Sequence, residues 1–362
     1  MTADGAERAG DGPERNAEIE RAFRRQAPVC AAMGSPLYAD LLGRCADDFA
    51  AGGVVARVVA GWRGHPVLDN LPLRLLGAAH YLALAGAAPA LAAYLPSAGG
   101  RWVAEPAWRA LVELFERDGE RIRAHLDEQI QTNEVRRCCA LLGGFLGLAR
   151  ERALPLALLE IGASAGLNQC FDRYRYELGA QRYGPADARV VLDCDWRGAP
   201  LDVRGELRVA SRAGCDVAPI DLADRGARLR LESFFWPDQL DRLARLRAAC
   251  DTALRTGVRV ERMRAGDWLA RELAPEAPGR TRVLFHSVMW MYVPEAERRR
   301  IGELLEEAGA RATSAAPFAW LRMEGVGYEH CEIRLRCWPG GEDRLLGRCH
   351  YHGAWVEWLA AG

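Results

Sequence analysis

The chain has 362 residues, half of them hydrophobic, and a formal net charge of -1. That length and apolar content support two domains or one large one. The near-zero charge gives no whole-chain attraction to nucleic acid or to an anionic membrane, so neither is expected as a partner. All 48 basic residues are arginine, which leaves no lysine for a Schiff base or a P-loop. The 11 cysteines lack CxxC spacing, so free thiols in a reducing, cytoplasmic setting are expected, with no disulfide framework and no metal site.

The opening segment, residues 1–15, is polar, carries acids and lacks an apolar signal region, and is expected as a disordered tail. Residues 16–150 read as a helical domain. Asn16 is a cap-type residue with acids in the following turn. The segment from Trp108 places Leu111, Leu114, Phe115, Ile122 and Leu126 at helical spacing. The run Leu75 to Leu95 has about the length of a membrane span, but its Ala/Gly content, His80 and Pro89 favour a buried helix pair. A further helix is expected from Asn133, where Thr132 or Asn133 would be the cap.

Residues 151–362 change character. Pro155 to Ile161 is a short apolar strand followed by a glycine-rich turn, and Leu167 onward is expected to be helical. Tyr174–Leu178 and Arg189–Cys194 are expected strands, read as a hairpin, and Leu207 starts another. Trp236 opens an amphipathic helix with proline near its first turn. Strands come next at Val258 and Arg282, then a helix at Glu295 and a strand at Phe318. Cys331, Ile333, Leu335 and Cys337 alternate with Glu332, Arg334 and Arg336, the pattern of a half-exposed strand that returns as a C-terminal antiparallel hairpin. The expected fold is therefore α/β: a Rossmann-like, mostly parallel sheet preceded by an all-helical domain.

The turn after the first strand, Glu160-Ile-Gly162-Ala-Ser164-Ala-Gly166, allows two readings. As an acid-x-Gly-x-x-x-Gly loop it resembles the first motif of class I S-adenosylmethionine-dependent methyltransferases. That resemblance implies a cofactor held by Glu160, Gly162, Ser164, Gly166 and Asn168, a ribose acid at the end of the next strand, and a polar adenine contact after the third. As G-x-S-x-G it is also the nucleophile elbow of α/β-hydrolases, with Ser164 attacking and a C-terminal histidine later in chain order. The helical region upstream and the missing oxyanion loop favour the cofactor reading. A non-enzymatic ligand-binding or interaction scaffold is the third alternative. More broadly, Gln131-TNEVRRCCAL, Leu159-EIGASAGLNQCFDRYRY, Arg212-AGCDVAPIDL, Phe285-HSVMWMY and His350-YHGAWVEWL make the chain similar to the bacterial domain-of-unknown-function family 2332.

Ligands of open α/β sheets bind beyond the carboxyl ends of the strands. Asp216 is the candidate ribose acid, with Asp193 or Asp195 as substitutes, and Asp267 the candidate adenine contact. His286 is the candidate general base, Tyr292 its weaker companion, and Asn133, Glu134, Arg212 and Ser287 are candidate contacts to a small-molecule acceptor. The helical domain would cover that acceptor.

Overall fold

A computed structural model describes residues 12–204, 206–327 and 329–360. The α-helices run in chain order α1 (Pro13–Ala32), α2 (Pro36–Ala50), α3 (Val54–Val59), α4 (Leu71–Leu84), α5 (Pro89–Ala92), α6 (Ala104–Leu126), α7 (Cys138–Arg152), α8 (Arg225–Ser233), α9 (Leu240–Thr256), α10 (Ala265–Glu272) and α11 (Glu295–Arg311). The chain forms two compact units. The first runs to Thr132 and takes in Arg225–Ala244; the second comprises Asn133–Asp224 and Arg245 onward. The division thus falls at Asn133 instead of 150/151, and passes through α9.

The first unit is helical among the described residues. Its first helix begins at Pro13 with Gly12 as N-cap, so Asn16 lies inside it, as do residues 13–15 of the expected tail; residues 1–11 lie outside the described residues. The apolar run from Leu75 becomes α4 and α5, with α4 buried on nearly every side. His80 inside it is satisfied by Ser97 Oγ at 2.7 Å and the Ser233 carbonyl at 3.0 Å, which lets a polar ring sit in the core. No helix among the described residues is long and apolar enough to cross a membrane.

The second unit is built on one sheet. Its strands are β1 (Leu156–Ile161), β2 (Arg175–Leu178), β3 (Gln181–Tyr183), β4 (Val191–Gly198), β5 (Val209–Asp216), β6 (Val260–Arg262), β7 (Thr281–Ser287), β8 (Phe318–Val326), β9 (His330–Trp338), β10 (Asp343–Cys349) and β11 (Trp355–Trp358). They lie in the order β3-β2-β4-β11-β10-β9-β8-β7-β1-β5-β6. From β6 to β8 every neighbour is parallel; β8 to β11 form an antiparallel meander. The fold is therefore mixed α/β with a mostly parallel sheet. The C-terminal hairpin expected from sequence is real but larger, since β8 and β11 extend it on either side. The hairpin expected between the next two strands is not formed: β2 pairs β4 in parallel, and the turn-linked partner of β2 is β3.

β1 and most of β7 are buried along their length because both faces are covered, the pattern of central parallel strands. On one face Leu159, Ile161 and Leu284 pack with Trp268 of α10 and Ile301 and Leu305 of α11. On the other, Phe145 of α7 stacks on Phe171 at 3.9 Å and meets Phe285 edge-on at 5.3 Å. After β1 the chain forms β2 to β4 at the far end of the sheet, comes back to lay β5 and β6 on one side of β1, and then crosses to the opposite side of β1 for β7 and β8. That reversal makes the carboxyl edge between β1 and β7 the topological switch point.

Candidate functional site at the carboxyl edge of the sheet

The turn that leaves β1 at this edge is held open by three alternate left-handed positions, Gly162 (φ +64°), Ser164 (φ +55°) and Gly166 (φ +73°). Glycine reaches that region freely, whereas serine is strained there. The segment after it, Leu167–Arg173, is helical as expected, but as a 3₁₀ helix.

The main-chain donors of this turn are spent inside the protein. Ala163 N donates to the Cys215 carbonyl, Ser164 N to Asp216 Oδ2 at 2.8 Å, and Gly166 N to the Ala163 carbonyl. Asn133 Oδ1 accepts from both Ala165 N (3.2 Å) and Leu167 N (3.0 Å). Asn133 therefore caps a loop more than thirty residues away and not the helix that comes directly after it. Glu134 instead caps the short turn Val135–Arg137 through Arg136 N.

Asp216 stands at the carboxyl end of β5, the strand beside β1. Its Oδ1 accepts from Ala218 N at 2.9 Å, so each carboxylate oxygen holds one N–H and keeps a lone pair. Asp193 and Asp195 are excluded as ribose acids by topology, since β4 lies far from β1. Asp193 pairs with Arg136 at 2.6 Å and Asp195 with Arg197 at 2.6 Å. Asp267 is exposed in the first turn of α10 and pairs with Arg300 at 2.7 Å. Arg212 lies in mid-β5, opposite Leu158, and pairs with Asp172 at 2.6 Å, so it does not join this edge. A cavity of about 640 Å³, lined by Asp172, Tyr183 and Leu207–Val209, opens at the amino end of β5, away from the switch point.

Glu160 points into the unit and is 2 % exposed; its Oε2 and both amide atoms of the neighbouring Gln169 lack hydrogen-bond partners. Burial pushes the Glu160 carboxyl well above its usual range; the Asp216 charge adds to this and the Gln169 amide opposes it. Asn168 is likewise buried, its Oδ1 facing Cys138 Sγ at 3.3 Å. A Cβ on Gly162 would stand 2.9 Å from the Met289 side chain, which covers that glycine.

His286 ends the buried part of β7. The Trp320 indole N–H donates to its Nε2 at 3.0 Å, and tryptophan can only donate, so the single ring proton lies on Nδ1 and goes to Glu324 Oε1 at 2.6 Å. Both nitrogens are engaged and the ring is 0 % exposed, so His286 has no free nitrogen for a substrate proton. Glu324 also accepts from Met289 N and Trp290 N, which ties down the loop after β7. Val288 in that loop is left-handed at φ +50°, a costly conformation for a β-branched residue. Tyr292, 70 % exposed, lies farther along it.

Two further residues at this edge escape sequence reasoning. Glu324 shows in sequence only as an acid alternating with Trp320 and Arg322. Arg137 donates from Nη1 to the Ser287 carbonyl at 3.2 Å and from Nε to the Tyr351 carbonyl at 3.1 Å. The structure thus brings Asn133, Glu134, Gly162, Ser164, Gly166, Asp216, His286 and Ser287 to one edge and leaves Arg212 elsewhere. Among the described residues no cluster of three or more His, Cys, Asp or Glu side chains has a metal-holding arrangement.

These features occur in a chain that belongs to the family described as "Uncharacterized protein conserved in bacteria" (DUF2332), matched over residues 20–358. No curated protein and no solved structure matched the chain.

Proposed function

We propose that the second unit is a Rossmann-like binding domain for an adenosine-type cofactor, and that the protein is an S-adenosylmethionine-dependent methyltransferase acting on a small molecule. The observation that carries this reading is Asp216. It is a carboxylate at the end of the strand next to β1, fixed to the glycine turn by Ser164 N, with lone pairs left for two vicinal hydroxyls. The strand order β6-β5-β1-β7-β8 is that of the doubly wound sheets that bind nucleotides at the switch point. The buried Glu160 carboxyl and the Gln169 amide make no hydrogen bond of good geometry, and this pair of polar groups fits a polar ligand group. Gly162 fits only after Met289, a flexible side chain, swings aside. When bound, the cofactor supplies an electrophilic methyl group. The chain's own contribution is to bind and orient, because His286 has no free nitrogen to act as a base.

Ser164 at φ +55° between two glycines also suits a nucleophile elbow. Against it, Ala165 N, which would stabilise the oxyanion, is held by Asn133. Calorimetric titration with S-adenosylmethionine and S-adenosylhomocysteine, with NAD as control, tests the proposal. Binding of the first two, weakened about tenfold or more by Asp216→Asn in a folded variant, supports it. No binding, together with labelling of Ser164 by an organophosphonate, replaces it with the hydrolase.

A further inference from the structure

We infer that Arg137 is a recognition residue for a carboxylate on a small ligand with an apolar body, bound at the carboxyl ends of β7 and β8. The inference rests on reading this edge as a ligand site, and not on the chemistry of methyl transfer.

Arg137 is only partly exposed, yet its hydrogen bonds go to two neutral carbonyls, those of Ser287 and Tyr351. With the described residues it makes no ion pair, and its Nη2 makes no hydrogen bond. A desolvated guanidinium normally has a close anion. Among the other arginines that bond carbonyls, burial lowers the pKa of two, Arg74 and Arg282, and both have a reason. Arg74 Nη1 takes the Leu126 and Glu128 carbonyls at the end of α6, and Arg282 Nη1 takes those of Glu272, Leu273 and Pro275 at the end of α10. Helix C-termini carry partial negative charge, which suits a buried cation. The carbonyls facing Arg137 belong to a strand end and a loop, which carry no such charge. Burial lowers the Arg137 pKa, and the fields of Glu134 and Glu324 oppose that without reaching contact distance.

The surroundings narrow the ligand. A phosphate dianion needs several donors or a second cation. The nearby amides from Ala163 to Leu167 are already engaged, and Glu134 and Glu324 repel a second negative charge. One planar cation with one open nitrogen suits a monocarboxylate. The same β7–α11 connection leaves Met291 63 % and Tyr292 70 % exposed, large surfaces for an apolar body.

The test uses the full chain and matched probes. In thermal unfolding, benzoate and butyrate should raise the midpoint by about 2–4 °C near saturation, and benzamide, butyramide and inorganic phosphate should not. Arg137→Gln should abolish the rise, with far-UV circular dichroism checking the fold. The acid–amide comparison on the unaltered chain decides even if that variant misfolds. A second arm separates two carboxylate sources by titrating the wild type and Arg137→Gln with S-adenosylhomocysteine and with methylthioadenosine, which lacks the carboxylate. Loss for the first alone assigns the carboxylate to the cofactor, and loss for neither assigns it to the acceptor. Equal effects of acid and amide, no effect of any acid, an equal effect of phosphate, or an acid effect that persists in Arg137→Gln would each overturn the inference.

Discussion

Asn133→Ala tests how the glycine turn is held. The substitution removes one oxygen that accepts from two amides, Ala165 N at 3.2 Å and Leu167 N at 3.0 Å, at a site where Asn133 is 7 % exposed. A buried donor left without a partner costs about 1–3 kcal/mol, so two cost roughly 2–6 kcal/mol, with the lower half expected where water enters the space of the deleted amide. Amide hydrogen exchange followed by mass spectrometry on the peptide spanning 161–170 reads this locally. Local opening eased by about 2–4 kcal/mol speeds exchange there by roughly 30- to 800-fold. Asn133→Asp keeps the acceptor and should stay close to wild type in this peptide. Unchanged exchange in Asn133→Ala would show that the turn holds itself, and the argument that Asn133 closes it would fail.

The remaining expectations concern charge and strain. Glu160 has a folded pKa above its unfolded value, so the native state retains a proton that the unfolded chain releases, and stability falls as pH rises from the ordinary carboxyl range toward the raised pKa. Glu160→Gln should therefore match wild type near pH 4 and gain stability over it toward neutral pH; parallel stability–pH curves would refute a protonated Glu160. Val288→Gly relieves a left-handed β-branched residue, worth about 1–2 kcal/mol, against about 0.5–1 kcal/mol of added chain entropy, so denaturant unfolding should show little change or a small gain. A clear loss would mean that the valine side chain packs better than its backbone suggests.

Local period was legible in the sequence. The all-apolar run ending at Ile161, the run from Arg282 to Ser287 and the alternation of Cys331 to Cys337 became β1, β7 and β9 because each pattern reflects burial on two faces or one. Pairing partners are not local. Nothing in Tyr174–Leu178 or Arg189–Cys194 tells that they lie parallel, and a short link between strands invited the hairpin reading. The site divides in the same way. Gly162, Gly166 and Asp216 stand at strand ends and could be proposed from spacing. Asn133 looked like a cap for its own helix because caps are normally local, whereas it reaches a turn brought near by the sheet. The engagement of both His286 nitrogens depends on Trp320 and Glu324 of the neighbouring strand, and only the sheet brings them together.

The closed amides of the turn bear on the ligands this edge can recognise. A Rossmann-type phosphate site works through free N–H groups at a glycine turn and a helix N-terminus. Here the donors from Ala163 to Leu167 are used, and the turn leads into a 3₁₀ segment. Recognition therefore falls to side chains, and the two best placed have opposite charge. Asp216 at the end of β5 suits hydroxyls, and Arg137 at the end of β7 suits a carboxylate. Two strand spacings, about 10 Å, separate those ends, with Met289 lying on Gly162 between them. A cofactor over β5 and β1 and a separate acid over β7 would meet where Met289 now stands. Under the proposed methyltransferase reading, this arrangement favours the acceptor as the source of the carboxylate, and Met289 would have to move for cofactor and acceptor to meet.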